Sequence, residues 1–321
     1  RVRALVPELA GQGITLNEYV PAVPKYPPQA RWRRGLWLPA ALGARLPGIA
    51  ASRTHDATLL QRELISTLYT LEGLTRAPRV LDVDDAIFLH RDGKPARRLA
   101  EASTLVLAGN PFLADWFSQW NSNVQLLPTS IDTGRFIPAV ESAHTGDDII
   151  IGWTGSQTNL RYLQYIESPL RRVLTARPNT RLHVVCDKKP ELTSLPPARM
   201  RWSAWHTDSE VAAVQRFDIG IMPLLDGDWE RGKCAFKALQ YMACGKPVVA
   251  SPVGVNAQLL ADESIGIAAA TNAQWESTLL ALVDDAKLRR QMGQAGRTLA
   301  ETSYATHIIA QRMASALRGA L

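Results

Sequence analysis

Two lysines four residues apart, Lys233 and Lys237, stand in the stretch GKCAFKALQYMACGKPVVASPVGVN (232–256). Ala235, Phe236, Ala238, Leu239, Met242 and Ala243 recur at three- and four-residue steps, an apolar stripe that predicts a helix over 233–243. Gly245 followed by Pro247 ends it, and 248–251 reads as a buried strand. Both lysines then fall in the first turn, where free N–H groups and the helix dipole already present positive charge. A cation there costs about 0.3–1 kcal/mol, and the turn holds no acid to offset it. A bound phosphate or diphosphate would, because a helix N-terminus is an anion site. Lys233 and Lys237, with the backbone of Cys234, Ala235 and Phe236, are therefore the first candidates for binding and for stabilising a departing anion. Two solvated, merely tolerated lysines are the alternative.

The elements that must position them alternate in kind. Strands are expected near 14–19, 57–60, 80–83, 104–107 and 124–127, then near 149–153, 181–186, 219–223, 247–250 and 266–268. Helical patterns lie between, near 2–10, 30–46, 98–101, 111–120, 160–176, 208–216, 233–243 and 273–284, with a last amphipathic helix over 304–317. Alternation at this spacing means an α/β protein with parallel sheets covered by helices on both faces. The polar, Pro/Gly-marked run IPAVESAHTGDD (137–148) is the expected join between two halves.

Ligands of such sheets bind at the carboxyl ends of the strands. Those ends read QRE (61–63), DVDDA (82–86), GWTGS (152–156), CDKK (186–189) and SPVGVN (251–256). Two sheets facing one another would gather them into one cleft, the default active site. Gly155 and Ser156, in a turn after the first strand of the second half, make a second anion candidate, and Gly254 stands in a corresponding turn. Arg62 and Glu63 are either a structural ion pair or acceptor-binding groups. Asp84 and Asp85 suit acceptor hydroxyls or a helix cap better than a metal.

Composition permits this and excludes other classes. The 321 residues suffice for two domains, and 46% apolar with 21% charged residues describes a globular chain with ample core. No run approaches the ~18 consecutive apolar residues of a membrane span, and no signal peptide is read. The chain opens RVRALVPEL without an initiating Met, so a first segment is expected ahead of it. Cys186, Cys234 and Cys244 are odd in number without metal-like spacing, which suits a reducing cytoplasm. A net charge of +6 suits an anionic small molecule or lipid surface and does not by itself argue for nucleic acid.

The segment ALQYMACGKPVVASPVGVN resembles the signature of glycosyltransferase family 4 (glycosyl transferases group 1), retaining enzymes built from two Rossmann-like domains in the GT-B arrangement. LLPTSIDTGRFIP (126–138) is similar to the family's segment at the end of its first domain. LLQRELISTLYTLE with VLDVDDAIFL resembles a subset of the family. The resemblance implies an acceptor-side domain over 1–138, a linker at 139–148, a nucleotide-sugar domain over 149–303 and a closing helix over 304–321. It implies transfer of a sugar from a UDP- or GDP-type nucleoside diphosphate sugar to a glycan, a lipid-linked acceptor or a small molecule. Configuration would be retained, with no metal or other cofactor, and the enzyme would lie in the cytoplasm or on the inner face of the membrane. Asp187, Trp205 and His206 fall where relatives hold the nucleobase, and His90 where a first-domain histidine contacts the donor sugar, although aromatic core and a surface histidine are the plainer readings.

The sequence departs from the family at telling places. Its paired glutamates are replaced by Gly232 and Gln240, and Ser156 stands where an arginine is expected. Gln240 can still bond a ribose hydroxyl, and Gln240→Glu is expected to be tolerated. Glu230 or Asp228 could stand in for the first glutamate, and Lys233, Lys237 and Arg161 for the missing cation. Two rival readings follow: a sugar-nucleotide epimerase of the same architecture, and a non-catalytic nucleotide-sugar-binding protein. Finally, Arg31, Arg33 and Arg34 cluster beside Trp32 and Trp37, a pattern that suits an anionic membrane surface. Tryptophans packed on the first sheet are the alternative, with Pro39 expected to start a second short helix.

Overall fold

The computed structural model describes residues 1–139 and 148–321. Of the expected join, 140–147 lie outside the described residues. The chain divides into two compact units. The first comprises Arg1–Thr129, Arg231–Cys234 and His307–Leu321, and the second Ser130–Glu230 and Ala235–Thr306.

In the first unit β1 (Thr58–Gln61), β2 (Arg79–Val83), β3 (Leu105–Ala108) and β4 (Val124–Leu126) form a parallel sheet in the order β1-β2-β3-β4. β3 is buried throughout, as a strand covered on both faces must be. Leu5 and Leu9 from the first helical turns pack with Val80, Leu105 and Leu107, and the helix Thr306–Ala320 adds Ile309, Met313 and Leu317 to that cluster. The strand expected at 14–19 does not form. Ile14 and Leu16 lie against the same cluster as partly buried side chains, so the apolar alternation there reflects packing without a ladder.

The second unit holds β5 (Ile149–Gly155), β6 (Thr180–Cys186), β7 (Met200–Ser203), β8 (Ile219–Met222), β9 (Val248–Ala250) and β10 (Gly266–Ala268). They pair in parallel in the order β10-β9-β8-β5-β6-β7. Alternate residues face opposite sides: Val248 and Ala250 join one buried cluster and Val249 the other. The order runs outward from β5 in one direction through β6 and β7, then in the other through β8 to β10. The reversal lies between β5 and β8, the position where sheets of this kind take ligands.

Sequence expectations fail at three further places. β7 was not foreseen, because an edge strand with exposed Arg201 and Trp202 lacks an apolar run. The helix of 233–243 begins only at Phe236, since Ala235 takes φ 52°, ψ 25°, a left-handed conformation that no α-helix accommodates. Pro39 lies inside the helix Arg34–Gly43 and does not open a new one.

Candidate functional site

In the second unit the groups converge on the reversal between β5 and β8. Tyr241, fully buried on the helix Phe236–Ala243, accepts a hydrogen bond from Thr154 N at 3.0 Å and donates to Ile221 O at 3.4 Å. One phenol thus ties the helix to the ends of both strands. Burial pushes its pKa up, so it remains a neutral donor. Lys237, in the first turn of that helix, lies over the Trp153 ring with Nζ 5.9 Å from the centroid. A Cβ at Gly155 would collide with that ring and stand 3.1 Å from Lys237 Cε. Only a glycine lets the β5 turn pass so close, and the structure thereby brings Gly155 and Lys237 together.

The turn itself is held by Asp187 at the end of β6. Asp187 Oδ1 accepts from Gln157 N at 2.6 Å and from Cys186 Sγ at 3.2 Å, and the thiol's bond is the larger cause of the carboxyl's depressed pKa. Ser156 Oγ is 3.0 Å from Thr158 Oγ1 and accepts from Asn159 Nδ2 at 3.0 Å. Gly254, φ 55°, precedes the short helix Val255–Leu259 after β9.

A second group lies beside it. Glu210, buried, accepts from Gln240 Nε2 at 2.7 Å and Trp205 Nε1 at 3.2 Å through Oε1, and from Arg135 Nη2 at 3.1 Å through Oε2. Trp205 is 40% exposed, so its ring is not the core aromatic that the plainer reading expected. Its backbone N bonds Cys186 O at 3.3 Å, which sets it at the end of β6 near Asp187, and His206 follows it, exposed. Sequence reasoning missed Glu210 and Arg135. Nothing local in the sequence marks Glu210, and Arg135 is one residue of the segment at 126–138. The carboxylate lacking at 240 is present in space at 210. The expectation for Gln240→Glu is accordingly corrected, since the new carboxylate would meet Glu210 where an amide now donates.

Glu230 and Arg161 are bonded to each other at 2.7 Å, and Glu230 also accepts from the Tyr162 hydroxyl. Burial, then that bond to Glu230, push the Tyr162 pKa up to about 12. Each of the two charges thus has a counterpart.

The first unit gathers a different set. Arg62, at φ 61° directly after β1, donates from Nη1 to Asp85 Oδ2, and its Nε lies 3.8 Å from Asp84 Oδ1. Burial, then the charge of Asp84, raise the Asp85 pKa, while Arg62 and Lys233 oppose the rise. Burial, then Arg62, lower the pKa of Lys25 beside them. Glu63 accepts from Thr67 N at 3.1 Å through Oε1, while its buried Oε2 has no hydrogen-bond partner among the described residues. Asp82, the first acid of the DVDD run, points away into the core, where Arg1 Nε donates to it at 3.0 Å. His90 is exposed between two short turns, Ile87–Leu89 and Arg91–Gly93. Among the described residues no group of three or more His, Cys, Asp or Glu is arranged to hold a metal ion.

Lys233 and Cys234 belong here and not to the turn of Lys237, which corrects the expectation that the two lysines share one helical face. Asn110 Nδ2 donates to the carbonyls of Gly232 (2.9 Å), Lys233 (3.2 Å) and Arg231 (3.4 Å), while its Oδ1 caps the helix Pro111–Phe117 at Leu113 N. The Cys234 thiol reaches Asp84 O at 3.4 Å, and burial pushes its pKa up to about 11. Gly232 has a steric reason as well: a Cβ there would lie 2.7 Å from Ala86 Cβ and 3.0 Å from Ala86 N. No glutamate fits at 232 without moving that backbone.

Two parallel sheets layered with helices, with the ligand end of the second at a strand-order reversal, define the GT-B type of glycosyltransferase fold. Residues 148–285 match the family model of glycosyl transferases group 1, the family that the sequence resembles. The fold is shared with sucrose-phosphate synthase from Thermosynechococcus elongatus at 14% identity, covering 99% of this chain and 92% of that one with a TM-score of 0.72. WaaG, a glycosyltransferase involved in lipopolysaccharide biosynthesis, is similar at 15% identity, 99% and 95% coverage and a TM-score of 0.69. HepE of Anabaena, solved in complex with UDP-glucose, is similar at 14% identity, 86% and 82% coverage and a TM-score of 0.68. No curated protein matches the sequence. Sugar transfer is the activity that the family match supports.

Proposed function

We propose that the protein moves a sugar from a nucleoside diphosphate sugar to an acceptor with retention of configuration. The observation that carries this reading is Lys237 at a helix N-terminus, packed over the glycine turn of β5 at the reversal of strand order. Helix amides and an ammonium group there suit a diphosphate. The half-exposed Trp205 ring and the Glu210 carboxylate beside Gln240 offer a flat surface and an acceptor group for a nucleoside. That HepE is known with UDP-glucose supports a donor of this class. Arg62, Glu63, Asp84 and Asp85 are the proposed acceptor-side groups. Chemistry in such a site is positioning plus stabilisation of the leaving diphosphate. Lys237 and the amides of the 236–243 helix balance the charge that develops on the leaving oxygen, and that oxygen takes the acceptor proton.

Incubation with radiolabelled UDP-glucose and GDP-mannose, with and without extracted lipids and glycans, tests the reading. Label in a glycoside of unchanged anomeric configuration is expected. An epimerised nucleotide sugar formed without acceptor would establish the epimerase instead, and binding with neither product the non-catalytic protein.

A further inference from the structure

From residue 19 to residue 55 the chain carries no Asp or Glu, while Lys25, Arg31, Arg33, Arg34, Arg45 and Arg53 supply six cations. The structure separates two kinds of group within that run. Arg45 is buried, donating to Leu64 O at 2.7 Å, Ala41 O at 2.5 Å and Val23 O at 3.4 Å. Trp37 is half-buried with its Nε1 on Pro24 O at 3.2 Å, and Arg34 Nε bonds Pro28 O at 3.1 Å. These bonds fix the helix Arg34–Gly43 against the 23–28 loop.

The outer face is then left bare. Trp32 is 74% exposed and Leu36, one helical turn on, 78%. Tyr26 and Leu46 are also more than half exposed. Arg31, Arg33 and Arg34 are exposed among them, the Arg33 guanidinium lying 4.9 Å from the centre of the Trp32 ring. Large apolar side chains at this exposure lose water-excluding contacts that the core would have given them. Of the two sequence readings, packing of the tryptophans on the first sheet fails for Trp32, while Trp37 is half-buried with its N–H on the 23–28 loop.

We infer that this face docks on an anionic lipid bilayer, with Trp32 and Leu36 at the headgroup boundary and Arg31, Arg33 and Arg34 against the lipid phosphates. The charge complementarity favours this occupant: a run with cations and no acids matches a negatively charged surface, and tryptophan is suited to the interface because its ring is apolar with one polar N–H. The indole–guanidinium contact keeps the charge beside the ring that inserts. Arg45 links the face to the Arg62–Glu63 loop through Leu64 O. An acceptor bound by that loop would therefore be carried on a lipid, a consequence that rests on the glycosyltransferase reading, whereas the docking itself does not.

Co-sedimentation with phosphatidylglycerol–phosphatidylcholine vesicles and with pure phosphatidylcholine vesicles tests it, with thermal melts confirming that the variants fold. The wild-type protein is expected to sediment with the anionic vesicles alone and to be released by high salt. Arg31→Ala/Arg33→Ala/Arg34→Ala should lower partitioning about a hundredfold, from about tenfold or less for each charge. Trp32→Ala/Leu36→Ala should lower it roughly tenfold or more. No sedimentation, equal sedimentation with neutral vesicles, or variants that bind like the wild type would overturn the inference. So would a lipid-independent dimer dissolved by the double variant, which would show that a second copy covers the face. Nucleotide binding measured in parallel distinguishes failure of docking from failure of the transferase reading.

Discussion

Ala235 holds φ 52°, ψ 25° immediately before the helix of Lys237, where an L-residue with a side chain is strained by about 1–2 kcal/mol. Glycine relieves that strain at the cost of about 0.5–1 kcal/mol of unfolded-chain entropy. Ala235→Gly is therefore expected to stabilise the protein by up to about 1 kcal/mol, read from chemical denaturation; a loss of stability would show that the Cβ makes contacts worth more than the strain. Gln240 carries the opposite expectation. Gln240→Glu sets a second carboxylate against Glu210 Oε1, now 2.7 Å from the amide, inside the core. Two buried like charges at that distance force one to protonate, and the lost bond adds to the cost. Melts at pH 8 should show a loss of about 2–3 kcal/mol that shrinks at pH 5, and a loss independent of pH would refute the proposed pairing. Gln240 was visible in the sequence because a motif marks it. Its partner was not, because Glu210 is 30 residues away along the chain and nothing local distinguishes a first-turn glutamate that caps from one that reaches across.

At the scale of elements, alternation of apolar runs was enough to find every strand whose two faces are buried, β3 and β8 among them. It failed at β7, an exposed edge strand without an apolar run, and where apolar alternation serves packing alone, as at 14–19. Helix existence was legible and helix starts were not. The 236–243 helix begins late because of one backbone conformation, and that shift of three residues moves Lys233 away from Lys237. The β6–β7 pair also carries a pH-sensitive group. His183 on β6 is buried, with Nε2 2.9 Å from Ser203 Oγ on β7, and burial followed by Arg201 and Arg216 lowers its pKa to about 4. The unfolded chain takes up the proton near pH 6.5 and the folded one only near 4. This contribution to stability is thus complete above about pH 6.5 and is lost as the pH falls toward 4, by about 2–3 kcal/mol. His183→Gln should flatten the unfolding free energy across that window; an unchanged slope would mean that other groups set it.

For the molecule as a whole, the alternation of strand and helix patterns indicated an α/β protein with parallel sheets, and the two parallel sheets agree with that reading. The grouping of residues into units was less legible. Segments 231–234 and 307–321 count with the first sheet although one lies between β8 and β9 of the second and the other follows β10, because Asn110 and the Leu5–Leu9 cluster hold them there. No spacing rule in the sequence reports such returns. Diphosphate recognition is thus proposed for Lys237 and the turn at Gly155, and one titration decides it. Calorimetry of UDP and of uridine with wild-type protein and Lys237→Ala should show UDP affinity reduced about tenfold or more, from a charge-assisted bond of about 1.5–3 kcal/mol, with uridine affinity unchanged. Equal losses for UDP and uridine, or no loss for either, would contradict it.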